Sequence, residues 1–157
     1  MIARMKHFTF VIAILFAACF GSGCRTTPGC QSGDCSGGQG VFAYPDGGFY
    51  QGQFASGVRS GQGTYTYESG DVYTGSWLNG KRHGEGRLRY ANGDLYEGQW
   101  KDDLRHGTGK LTYVSGRVYE GQFTQDRITG RGKQTFENGE VYEGDLVGGK
   151  RSGRGEV

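Results

Sequence analysis

Five tyrosines recur at a constant spacing of 23 residues in this chain of 157 residues. Each opens a unit that reads Tyr-x-Gly-x-aromatic, followed by a short spacer, by Gly-x-Gly and by a second aromatic residue. The opening tyrosines are Tyr50, Tyr73, Tyr96, Tyr119 and Tyr142. Self-similarity at such a period signals a repeat architecture, in which each unit buries its apolar face only against its neighbours.

The composition agrees with a repeat protein that is one sheet thick. Glycine accounts for 32 residues and proline for 2, while hydrophobic residues make up 34% of the chain. This is too little for a thick two-layer core, yet an aromatic content of 13% is too high for a disordered chain. We therefore expect one elongated domain without a large pocket.

The sequence of each unit predicts two short strands, with a tight turn that joins the unit to the next one. The turn sequences read PDG, ESG, ANG, VSG and ENG. Pro45 favours a three-residue turn, because a two-residue turn would place it at a ladder position that needs an N–H. In that register Tyr65 lies opposite Tyr73, and Gly63 lies opposite Gly75. The other face then opposes Arg87 with Glu97, Lys110 with Glu120, Lys133 with Glu143 and Thr64 with Thr74. Three opposite-charge pairs at one structural position favour this register.

The same register puts the paired glycines and the large rings together on what we call the aromatic face. Its ring residues are Tyr50, Phe54, Tyr73, Trp77, Tyr96, Trp100, Tyr119, Phe123 and Tyr142. A pair of glycines leaves a groove in which a neighbouring ring can bury roughly 150–250 Å². We interpret the rings as core, and a continuous aromatic groove that also takes a ligand is the alternative.

The repeated segments YTGSWLNGKRHGEG, YEGQWKDDLRHGTG and YEGQFTQDRITGRG resemble MORN repeats. The resemblance covers residues 38–157, with a half repeat at 38–47 and repeats starting near residues 48, 71, 94, 117 and 140. It implies an all-β fold, an elongated single-layer antiparallel sheet of tandem β-hairpins. It also implies a role in binding or scaffolding rather than in catalysis.

The first 23 residues are typical of an export signal, with a basic start and an apolar run of 13 residues that is shorter than the roughly 20 needed to span a membrane. Cys19 and Cys24 each follow small residues and resemble the cysteine of a bacterial lipobox, which implies lipidation. We favour Cys24, with Cys19 as the alternative. We therefore expect a lipid anchor in the cell envelope, at the outer membrane facing the periplasm or the surface if the cell has two membranes.

Residues 24–37 are small, polar and glycine-rich, which predicts a flexible linker. Cys30 and Cys35 are expected to form a disulfide in an oxidising envelope compartment. A zinc site in this segment is disfavoured, because no histidine lies nearby and zinc motifs usually hold closer cysteine pairs.

Charge is uneven along the units, although the net charge is only +2. Arg59, Arg82, Arg105 and Arg151 share one repeat position, with Ile128 as the gap, in segments predicted to be six-residue loops within units. One interpretation is a solvated surface. The other is a ladder of guanidinium groups that binds an anionic lipid or polymer; nucleic acid is not expected as a partner of an exported protein.

No set of residues outside the repeat predicts catalysis. His83 and His106 occupy equivalent places in consecutive units, so they are interpreted as loop residues, and neither a cofactor nor a metal is expected. The leading prediction is a non-enzymatic, protein-binding or scaffold module. The alternative is recognition of a cell-wall glycan or anionic lipid through the aromatic face or the basic edge. The strand at 141–146 is expected to be an open sheet edge.

Overall fold

The computed structural model describes residues 27–156 as one antiparallel sheet in which every strand pairs with the next in the chain. The predicted signal peptide, which contains Cys19, lies outside the described residues, and so does Cys24 at the start of the predicted linker. The strands are β1 (Gly29–Gly33), β2 (Gln39–Ala43), β3 (Phe49–Ala55), β4 (Val58–Thr66), β5 (Val72–Leu78), β6 (Lys81–Arg89), β7 (Leu95–Lys101), β8 (Leu104–Thr112), β9 (Val118–Thr124), β10 (Arg127–Thr135), β11 (Val141–Val147) and β12 (Lys150–Glu156).

This architecture confirms the predicted fold class, an all-β single-layer sheet of consecutive hairpins. Across its 12 strands, at about 4.8 Å per strand spacing, the sheet extends for roughly 50 Å. No second layer of described residues covers either face, so the core has to be built from side chains of the sheet itself.

The turns between units have three residues, as Pro45 predicted. At the turn between β4 and β5, the Tyr67 N–H donates to the Asp71 carbonyl at 2.9 Å, and the Gly70 N–H donates to the Tyr67 carbonyl at 3.0 Å. Gly70 has a φ of 90°, the left-handed conformation that the last position of such a turn requires. The glycine of each turn sequence is therefore there for backbone geometry.

The predicted register between units is also confirmed. Tyr65 stands opposite Tyr73 and Gly63 stands opposite Gly75. On the other face, the predicted pairs are all directly opposed: Arg87 with Glu97, Lys110 with Glu120, Lys133 with Glu143 and Thr64 with Thr74. That face is exposed, and we call it the solvent face.

The connections within units differ from the predicted six-residue loops. Ala55 pairs with Val58, so only Ser56 and Gly57 form the turn, with φ values of 51° and 76°. Two central residues with positive φ define a type I′ hairpin turn, whose twist matches that of the strands. The later units make the same turn with Asn79–Gly80, Asp102–Asp103, Gln125–Asp126 and Gly148–Gly149.

A β-bulge next to each of these turns explains why the spacing looked like a loop. Between the Gly75–Gly86 and Trp77–Arg82 pairs, Ser76 alone on β5 faces three residues of β6. Gly84 lies in this bulge with a φ of 69°. The extra residues bring Arg82 opposite Trp77, so the arginine is a strand residue of the aromatic face.

The predicted flexible linker over residues 24–37 is wrong for part of its length, because Gly29–Gly33 form β1 and pair with β2. A disulfide joins Cys30 and Cys35 across the turn that follows β1. The Ser36 carbonyl accepts a hydrogen bond from Gly57 N–H at 2.7 Å. Small polar residues can extend a sheet in this way because the ladder is made by main-chain groups.

The prediction that residues 141–146 form an open sheet edge is also wrong, because a further strand pairs with them through main-chain hydrogen bonds. Strand β12 pairs with β11, with Glu156 opposite Glu143 and Gly155 opposite Gly144. The side chains of β12 are exposed, so main-chain hydrogen bonds rather than apolar contacts hold most of this strand to the sheet.

Candidate binding surfaces

The rings of the aromatic face fill the grooves above the glycine pairs. All nine are buried, with exposed fractions of 0–4%. A Cβ atom added to Gly86 would lie 2.2 Å from the Tyr73 hydroxyl oxygen, which shows that the tyrosine ring occupies this space. The Tyr73 hydroxyl donates to the Ser76 carbonyl at 3.0 Å. The glycines therefore make room for the rings, in agreement with their interpretation as core.

Neighbouring units interlock through edge-to-face ring contacts. The Trp100 ring lies 5.3 Å from that of Tyr73 and 5.1 Å from that of Tyr96, with interplanar angles of 86° and 89°. Its indole N–H donates to the Gly86 carbonyl at 3.2 Å. Aromatic pairs in this geometry add about 0.5–1.5 kcal/mol each beyond area burial. Rings engaged in this way are not presented for stacking on a glycan.

Burial also controls the ionisation of the tyrosines. Desolvation raises the pKa of Tyr50 and of Tyr65 to about 12. The same cause raises the pKa of Tyr73 and of Tyr96 still further. The hydroxyls of these four tyrosines are neutral hydrogen-bond donors at physiological pH.

The arginines predicted to form a free ladder are engaged within the sheet. The Arg82 Nε atom lies 3.2 Å from Asp103 Oδ1, and its Nη2 donates to the Asp103 carbonyl at 2.7 Å. Its guanidinium carbon lies 4.2 Å above the Trp100 ring, and only 17% of the side chain is exposed. Arg105 binds Asp126 in the same way. These two arginines are therefore structural residues rather than open anion sites.

The first and last arginines of that ladder are engaged by other groups. Arg59 donates to the Gly80 carbonyl at 2.8 Å and lies 4.4 Å above the Trp77 ring. Arg151 forms an ion pair with Glu140. The predicted basic edge is thus corrected: the bulges turn its arginines over the rings, where carboxylates and carbonyls meet them.

The fourth unit departs from this arrangement and leaves a groove. Ile128 stands where the other units have arginine, and a groove of about 480 Å³ lies against it and Gly149. Arg117, from the turn before β9, also lines the groove, with its guanidinium carbon 5.5 Å from the Tyr113 ring. Sequence reasoning noted the missing arginine at 128 but did not connect Arg117 with it, because the two residues meet only in the fold.

Among the described residues, two of the three buried side-chain polar atoms without a hydrogen-bond partner lie in the same unit, Arg117 Nε and Gln134 Nε2; the third is His83 Nδ1. Gln134 is 1% exposed and takes the place that Leu88 and Leu111 fill in the preceding units. Unpaired buried donors are uncommon and cost roughly 1–3 kcal/mol each. The groove beside Arg117 is therefore a candidate binding site that the sequence did not predict.

The described residues also limit what other chemistry can be assigned. Within 27–156, no group of three or more histidine, cysteine or acidic side chains is placed to hold a metal ion. The same stretch has no helix that is long and apolar enough to cross a membrane. His83 and His106 lie in β6 and β8, at equivalent bulges of different units.

A family comparison agrees with the repeats seen in the sheet. The family model for the MORN repeat matches residues 37–49, 50–72, 73–95, 96–116, 119–141 and 142–156. The chain belongs to the MORN-repeat family. No curated protein sequence gives a match. The MORN repeats coincide with the hairpin units of the sheet, an architecture compatible with a scaffold or binding module.

Proposed function

We propose that this protein is a non-catalytic MORN-repeat module that is lipid-anchored in the bacterial cell envelope and binds a protein partner there. The observation that carries the proposal is the use of the aromatic face by the fold itself. Rings buried to 0–4% exposure and arginines paired with Asp103 and Asp126 leave little of that face for a glycan or an anionic lipid.

The solvent face supplies the surface that a protein partner would need. A row of exposed charges crosses it, and their signs alternate from strand to strand: Arg87, Glu97, Lys110, Glu120, Lys133 and Glu143. The Arg87–Glu97 pair is 3.5 Å apart with both side chains about half exposed, so it adds little to stability. Such patterned charges favour partner selection and orientation more than raw affinity.

Anchoring in the envelope is supported by the sequence outside the described residues. The apolar run before Cys24 and the small residues around it suit export followed by lipidation. The lipid would hold the sheet at the membrane surface, and the segment from Cys24 to β1 would act as the tether.

Site-specific photo-crosslinking in living cells tests the partner proposal. A crosslinker at the exposed solvent-face position Thr108 should capture a defined envelope protein. A crosslinker at the buried position Tyr96 is the matched control and should capture nothing. Binding of the purified full chain to isolated cell wall or to anionic vesicles, without a captured protein, would support the glycan or lipid alternative instead.

A further inference from the structure

The ion pairs that Arg82 and Arg105 form with an aspartate of the next unit have no counterpart in the fourth unit, where the groove lies. Arg105 and Asp126, on consecutive units, form the part-buried pair described above, with Nε and Oδ1 3.0 Å apart. At the equivalent positions one unit later the chain has Ile128 and Gly149. A Cβ atom on Gly149 would lie 3.7 Å from the Ile128 Cδ1 atom, so a side chain there has room.

The Arg117 side chain, from the neighbouring turn, lines the groove beside Ile128 and Gly149. Its guanidinium carbon lies between the rings of Tyr113 and Phe136, at 5.5 and 5.7 Å. None of the four ion pairs within residues 27–156 involves Arg117. Its Nε atom is buried without a partner. Arg117 is therefore a cation in the groove without a carboxylate partner of its own among the described residues, while Asp126, which also lines the groove, is paired with Arg105.

We propose that this groove binds an acidic residue of a partner protein, with the carboxylate on Arg117 and the adjoining apolar part of the peptide on Tyr113 and Ile128. The inference rests on the proposed function, since it names the chemistry of the partner. Arg117 and Ile128 both line the groove, which provides charge and apolar surface side by side.

The array itself shows why a peptide suits the groove better than phosphate. Asp126 gives Arg105 both a carboxylate oxygen and its main-chain carbonyl, each 3.0 Å from a guanidinium nitrogen. One residue of another chain can supply the same two acceptors, whereas phosphate supplies no adjoining apolar group. Arg105, Arg127 and Asp126 also line the groove, so the apolar surface beside Arg117, rather than charge alone, favours a peptide there.

Binding to defined peptides tests the inference on the full chain purified in detergent. The probes are short peptides that place Asp or Glu beside Leu, Ile, Val or Phe, together with twins that carry Asn or Gln instead. We expect the acidic peptides to bind and to shift the NMR signal of the Arg117 Nε–H group. The amide twins should bind at least about tenfold more weakly, because they lose a charge-assisted hydrogen bond.

Two variants remove the site in different ways. Arg117→Gln removes the charge. The double variant Ile128→Arg with Gly149→Asp fills the groove with the array's own ion pair, and an aspartate is already tolerated at the equivalent Asp126 with a φ of 66°. Both variants should keep the sheet, measured by circular dichroism, and both should lose peptide binding at least about tenfold.

Several outcomes would overturn the inference. Equal binding of acidic peptides and amide twins would do so, as would peptide binding that survives in both variants. Arg117-dependent binding of inorganic phosphate or of vesicles with anionic lipid, without peptide binding, would assign the groove to a different ligand. If photo-crosslinking captures a partner that both variants still hold, the proposed function stands and this site is wrong. If no partner is captured at all, the proposed function is wrong, and so is the inference that rests on it.

Discussion

Replacing Gly86 with alanine should destabilise the sheet strongly, although it adds only one methyl group. The new Cβ would lie 2.2 Å from the Tyr73 hydroxyl oxygen and 2.5 Å from the ring carbon that bears it. Ordinary contacts begin near 3.4 Å, so the ring has to retreat by more than 1 Å. It cannot slide sideways, because Trp77 and Trp100 contact it at 5.1 and 5.3 Å between ring centroids.

The magnitude follows from what the ring loses. A tyrosine that buries roughly 150–250 Å² gains about 4–6 kcal/mol at about 25 cal/mol per Å². Full expulsion of the ring sets that upper limit, and partial displacement should cost about 3 kcal/mol, at the upper end of typical overpacking costs. The lower backbone entropy of alanine in the unfolded chain offsets at most about 1 kcal/mol. Gly86 has no positive φ, so the effect is steric rather than conformational.

Urea unfolding followed by tryptophan fluorescence measures this change, because Trp77 and Trp100 both touch the displaced ring. Glu85→Ala is the matched control: this side chain is exposed on the solvent face, and its loss should cost within about 0.5 kcal/mol. A double-mutant cycle with Tyr73→Ala should show that Gly86→Ala costs far less once the ring is gone. Losses within 1 kcal/mol of each other for the alanine variants at 85 and 86 would refute the assignment of the two faces.

Three further predictions test the core, the ladder and the anchor. Desolvation raises the pKa of Tyr65 to about 12, so the stability of the wild type is unaffected by this group below about pH 10 and falls as the pH rises towards 12; the difference between the urea midpoints of the wild type and Tyr65→Phe should be constant below pH 10, and the wild type should lose stability relative to the variant above it. Asp126→Asn keeps an acceptor for the Arg105 N–H but loses the charge, and should cost about 1 kcal/mol in urea unfolding, less than Asp126→Ala; equal losses would contradict the hydrogen-bond account. Labelling with a radioactive fatty acid should mark the protein and disappear in Cys24→Ala; loss of the label only in Cys19→Ala would move the site.

Sequence reasoning predicted the strand pairing between units because the evidence for it is local. Pro45 and the turn glycines limit the turn geometry, and the alternation of side chains then puts Tyr65 opposite Tyr73 and the charged residues on the other face. The nine rings of the aromatic face could be assigned to the core for the same reason. The two-residue turns within units were missed even at Asn79–Gly80, because the bulge beside each turn adds residues that make the connection look like a longer loop.

By itself, the sequence determined the repeat, the sheet, the register between units and which rings are buried, because these follow from a period of 23 residues and from backbone rules that act over a few residues. Only the tertiary structure decided what the arginines do. Arg82 meets Asp103 from 21 residues away, and the bulge that turns it over Trp100 depends on pairing with a second strand. The groove at Arg117 arises in the same way, since its side chain, the missing pair at 128 and 149, and the rings beside them come together only when adjacent units stack.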